Sequence, residues 1–73
     1  MKDTINVKIG QGNIKLYKLL KWANVIETGT LSKEAVNNGK VMLNGQIELD
    51  SCYKVYPKDK VEYKEITINV VEQ

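Results

Sequence analysis

Gly39-Lys40-Val41-Met42-Leu43-Asn44-Gly45 holds a helix stop, a strand and a turn within seven residues. Gly39 follows Ala35-Val36-Asn37-Asn38, where a short helix should end, and glycine takes the left-handed C′ conformation without the clash a Cβ would bring. Val41-Met42-Leu43 is a brief β-competent run. Asn44-Gly45 closes it, the dipeptide whose tolerance of positive φ suits a type I′ hairpin turn. Lys40 and Asn44 therefore stand at the two ends of one short strand, a rigid platform for touching a ligand.

Outward from this stretch the pattern alternates between strand and helix. Toward the N-terminus, residues 4–9 alternate polar and apolar with Ile5, Val7 and Ile9 on one face, which predicts a half-buried strand. Gly10-Gln11-Gly12-Asn13 breaks it. This is a connector rather than a phosphate loop, because no Gly-Lys-Ser/Thr follows and neither nucleotide fingerprint fits. A helix is predicted over residues 14–23, with Leu16, Leu19, Leu20, Ala23 and Ile26 in one apolar arc and Lys15, Lys18 and Lys21 on another. Trp22 projects between Lys15 and Lys18, away from the centre of the leucine arc. It is expected to cover the core edge or pack on the first strand, the competing use being a stacking platform for a base. Thr28-Gly29-Thr30 supplies turn and cap chemistry for a second helix over residues 31–38, whose apolar stripe is read as Leu31, Ala35 and Val36.

Toward the C-terminus, Gln46-Ile47-Glu48-Leu49 reads as the returning strand and Tyr53-Lys54-Val55-Tyr56 as another. Pro57-Lys58-Asp59-Lys60 is a turn before Val61-Glu62-Tyr63. Residues 66–71 form a last strand suited to pairing with the first. The predicted class is α+β: two short helices packed on a small, mostly antiparallel sheet, in one domain over residues 1–73.

Composition narrows the function. A chain of 73 residues buries only about 60% of its unfolded surface. Its one cysteine, Cys52, forms no internal disulfide, and no Cys/His cluster suggests a metal. With no histidine the usual general base is missing, Cys52 has no activating partner, and neither an enzyme nor a cofactor or small-molecule substrate is expected. No apolar run reaches the roughly 18 residues of a membrane span, and Met1-Lys2-Asp3-Thr4 lacks a signal-peptide stretch, so a cytoplasmic location is expected. All 11 basic residues are lysine, so anion contacts would be point-charge contacts without the arginine fork. Their distribution is uneven. Residues 15–40 carry five lysines against two glutamates, a net +3, whereas residues 41–73 carry four lysines against six acids, a net −2.

Lys33 through Asp59 resembles the S-four RNA-binding domain, or αL motif, named after small-subunit ribosomal protein four. The resemblance rests on a basic residue, a short helix, Gly39-Lys40-Val41-Met42-Leu43-Asn44-Gly45 and the turn Tyr56-Pro57-Lys58-Asp59. Ile14-Lys15-Leu16, Leu20-Lys21, Thr28-Gly29 and Val55-Tyr56-Pro57 extend it toward the stand-alone bacterial YaaA-like members. It spans residues 14–63, with flanking strands at residues 4–9 and 66–71. It implies binding of structured RNA, rRNA or tRNA-like, with a face built from the helices and the adjoining strand end. The candidate contact residues are Lys15, Lys18, Lys33, Lys40, Asn44 and Lys54, with lysine at two places where family members often carry arginine. The alternative is a protein-interaction module in ribosome assembly or replication machinery that keeps the fold without RNA binding.

Overall fold

A computed structural model describes residues 3–10 and 12–72. Met1 and Lys2, from the leader reading, Gln11, in the middle of the connector, and Gln73 lie outside the described residues. The chain runs β1 (Asp3–Ile9), β2 (Ile14–Lys15), α1 (Leu16–Trp22), α2 (Gly29–Asn37), β3 (Val41–Leu43), β4 (Gln46–Ile47), β5 (Lys54–Val55), β6 (Lys60–Tyr63) and β7 (Ile66–Glu72). Five strands form one sheet in the order β1-β7-β6-β3-β4, and β2 pairs with β5 in a separate two-stranded ribbon. The first and last strands do pair, in parallel, and every other pairing is antiparallel. The architecture is α+β as expected.

Register explains where the core sits. Ile5, Ile68, Val61 and Leu43 are successive cross-strand partners, so one apolar row crosses four strands on a single face. Val7, Ile9, Val41 and Val70 extend that face, and Leu16, Leu19 and Leu20 of α1 with Ala35 and Val36 of α2 cover it. The alternate residues Thr4, Asn6, Thr67 and Glu62 point the other way, as the period of two demands.

Both helices end in the same device. The Asn24 N–H donates to the Lys21 carbonyl and the Val25 N–H to that of Leu20, while Gly39 and Lys40 repeat the pattern on Val36 and Ala35. These are Schellman closures. Each needs a left-handed residue, and Asn24 at φ 58° and Gly39 at φ 74° supply it. Asn44 at φ 52° and Gly45 at φ 86° complete the expected type I′ turn.

Three expectations need correction. The first helix starts at Leu16, not Ile14, because Ile14 and Lys15 are drawn into the ribbon with Val55 and Lys54. The second starts at Gly29 behind an N-cap in which Thr28 Oγ1 accepts from the Leu31 N–H at 3.1 Å. Its buried stripe is Ser32, Ala35 and Val36, leaving Leu31 49% exposed. Ser32 is tolerated inside because its hydroxyl donates to the Thr28 carbonyl at 2.9 Å. Third, the strands after the hairpin are shorter than the alternation suggested, two residues each at β4 and β5.

A Cβ on Gly39 would meet Ile47 Cγ2 and Leu49 Cδ2 at 3.7 Å, which is ordinary contact, so the cost of a side chain there is conformational. Gly39→Val is expected to destabilise the fold by about 1 to 2 kcal/mol. A urea melt would show it, and a wild-type midpoint would mean the helix can close another way.

Candidate nucleic-acid interface

The site begins at the ribbon. Ile14 lies opposite Val55 and Lys15 opposite Lys54, while the first two N–H groups of α1, from Leu16 and Tyr17, donate to the carbonyls of Tyr53 and Ser51 at 2.9 and 3.0 Å. The start of α1 is thereby tied to the segment before and within β5. The helix then carries Lys18 and Trp22 onto the same side as Lys15, at spacings of three and seven residues. These side chains line a groove of about 490 Å³ with Asn13, Ile14 and Lys8 from the end of β1. Among the described residues no carboxylate lines it.

Like charges directly opposite on a strand pair are destabilising. Lys15 and Lys54 are such a pair, and Lys18 adds a further cation in the groove that Lys15 lines. A bound polyanion would relieve that repulsion.

Of the other candidate residues, Lys33 on α2 stands over the Tyr17 ring of α1, with Nζ 4.6 Å from the centroid. Lys40 lines a second groove, of about 450 Å³, with Leu31, Glu34, Asn38 and Lys64. The two grooves share no lining residue, so Lys40 does not join Lys15 and Lys18 in one cleft. Asn44 is engaged within the fold. Its Nδ2 donates to Asp59 Oδ1 at 3.1 Å and its Oδ1 accepts from the Lys60 N–H at 2.8 Å. Asp59 Oδ2 in turn accepts from the Tyr56 N–H at 2.8 Å. The hairpin turn and the Pro57 turn are therefore clamped to each other.

Trp22 corrects the packing expectation. It is 69% exposed, because α1 directs Leu16, Leu19 and Leu20 at the sheet and leaves the opposite face to the groove. Lys8 at the end of β1 also borders this groove, although its place in the alternation puts it on the face of Thr4 and Asn6, and sequence reasoning did not single it out. Its only signal was its place beside the glycine connector, since alternation on β1 says which face it occupies but not what lies beside it. Cys52 is exposed, with its N–H donating to Asp50 Oδ1 at 2.9 Å. Among the described residues no group of metal-ligating side chains forms, and no helix is long and apolar enough to cross a membrane.

Two helices on a mostly antiparallel sheet, with a glycine-closed helix leading into an Asn-Gly hairpin, define an αL-type module. The chain belongs to the S4 domain family, whose model matches residues 7–71. Its fold is similar to the solution structure of YbcJ from E. coli, at 24% identity and a TM-score of 0.68, over 97% of this chain and 89% of that one. That structure is described as revealing an αL motif involved in RNA binding. No curated protein matches the chain.

The Asn44 clamp is testable alone. Asn44→Gly keeps the left-handed backbone and removes both side-chain bonds, so it should cost about 1 to 2 kcal/mol in a denaturant melt. An unchanged midpoint would show the clamp to be idle.

Proposed function

We propose that this protein is a non-enzymatic RNA-binding module that recognises structured RNA, of the rRNA or tRNA-like kind, through a lysine face. The observation that carries this reading is the opposed pair Lys15 and Lys54, with Lys18 beside Lys15 in a groove that no carboxylate of the described residues lines. Membership of the S4 family and likeness to a protein described as RNA-binding support it. The lysines contact phosphates as point charges, so affinity comes from the backbone and selectivity from RNA shape. Lys33 extends the face onto α2, and Lys40 adds its charge from the far end of that helix. Asn44 contributes by fixing the turn beside the face, and any contact it makes with a ribose or base comes through the valences its clamp leaves open. A cytoplasmic location is part of this reading, because an RNA partner of this kind fits it.

A second reading has one observation behind it. Ile47 and Leu49 are 61% and 59% exposed, and both flank Gly39 at the β4 edge of the sheet. Such an apolar edge suits a protein partner in ribosome assembly or replication machinery. The two readings differ in their response to salt, since an apolar interface is little screened.

If three to five phosphates are neutralised, log K for a structured RNA should fall against log salt with a slope of roughly −2 to −4. Lys54→Glu should weaken binding while leaving stability equal or higher, because it turns the repulsion with Lys15 into an attraction. The control is Lys58→Glu, which changes net charge equally but lines neither groove. Equal losses from the two variants would mean diffuse attraction without a site, and a flat salt response would favour the protein partner.

A further inference from the structure

Trp22 is the chain's one tryptophan, and an indole left 69% exposed forgoes the largest apolar burial any side chain offers. Its surroundings are unusual for a stray apolar residue. Lys15 and Lys18 precede it on the same helical side, and Asn13, Ile14 and the end of β1 at Lys8 and Ile9 line the groove too. From Lys15 to Trp22 the helix rises about 10 Å, with Lys18 part-way along. Cations therefore flank an aromatic face along one short track. The two lysine–ring stacks among the described residues are Lys33 on Tyr17 and Lys64 on Tyr63. Neither involves Trp22, so no lysine of the described residues takes its π-face.

We infer that this groove is a subsite for one unpaired nucleotide of the RNA, its base stacked on Trp22 and its flanking phosphates held by Lys15 and Lys18. The inference rests on the RNA-binding reading above and adds to it the structural class of RNA: a stem carrying a bulged or looped-out base. A fully paired A-form stem keeps its base faces stacked inside the helix and offers only phosphates, hydroxyls and base edges. An indole can engage a base face only where the base has left the stack. Among the described residues the polar lining contains no carboxylate to repel the phosphates, and Asn13 carries an amide that can both donate and accept hydrogen bonds. Stacking is tolerant of base identity because every base has a π-face. Selectivity here is thus for an unstacked nucleotide rather than for a sequence.

Two RNA hairpins with the same stem test this, one fully paired and one with a single unpaired adenosine. Binding is followed by the emission of Trp22 and, for variants that lack it, by a label on the RNA. The bulged hairpin is expected to quench Trp22 and to bind roughly 10- to 100-fold more tightly than the paired one. Trp22→Ala should reduce the bulged hairpin to the affinity of the paired one, Trp22→Phe should retain most of the preference, and both should melt close to wild type. Lys15→Glu should weaken both hairpins. If both RNAs bind with a steep salt dependence but without quenching or preference, the subsite is overturned and the RNA-binding reading stands. If Trp22→Ala keeps the preference, the base stacks elsewhere and the subsite is again overturned. If neither hairpin binds in a salt-dependent way, the RNA-binding reading fails and the subsite with it.

Discussion

The two-residue ribbon between Ile14-Lys15 and Lys54-Val55 positions the candidate contact residues Lys15, Lys18 and Lys54 and the exposed Trp22. It is too small to be stable alone. What holds it is the burial of Val55 and Leu16 at its base and the donation of the first α1 N–H groups to the Ser51 and Tyr53 carbonyls. Those bonds satisfy two of the orphan donors at the helix start, which has no side-chain cap. Because the ribbon sets where α1 begins, it also sets its rotation. Leucines meet the sheet, and Lys15, Lys18 and Trp22 meet solvent.

A second constraint works from the other end of the helical pair. Gly39 closes α2 and hands the chain to β3 within two residues, so the helix pair and the sheet cannot slide independently. The hairpin that follows is then locked to the Pro57 turn through Asn44 and Asp59. Pro57 leads into Lys58 at φ 80°, a conformation that non-glycine residues rarely hold. The Lys58 N–H donates to the Val70 carbonyl at 2.7 Å, which ties this turn to β7 and helps to hold it. Turns rather than long strands give this small sheet its definition.

The electrostatic pattern follows from this frame. Placing Lys15 against Lys54 works against folding, and a fold of this size has few contacts to spare for it. Sites that break a local rule are where function is expected. The same holds for an exposed indole on a helix whose other face is fully buried. Both irregularities fall at one ribbon and one helix, away from the Ile5-Ile68-Val61-Leu43 row that holds the sheet together.

Local chemistry along the chain determined much of this. The Gly39 stop, the Val41–Leu43 strand, the Asn44-Gly45 turn, the leucine arc and the α+β class all depend on propensities and periods that act within a few residues. The lysine spacing was legible for the same reason, since α1 carries Lys18 and Trp22 and Lys15 is its N-cap. Only the tertiary structure decided what lies beside them. The pairing of Lys15 with Lys54 joins residues about 40 positions apart in the chain, the arrival of Lys8 depends on where β1 ends, and the exposure of Trp22 depends on how α1 is rotated on the sheet. Periodicity says which residues share a face, but only the packing of that element against the rest of the chain says whether the face meets core or water. The separation of Lys40 from the α1 lysines and the engagement of Asn44 by Asp59 were hidden for that reason: each depends on a partner that no local pattern encodes.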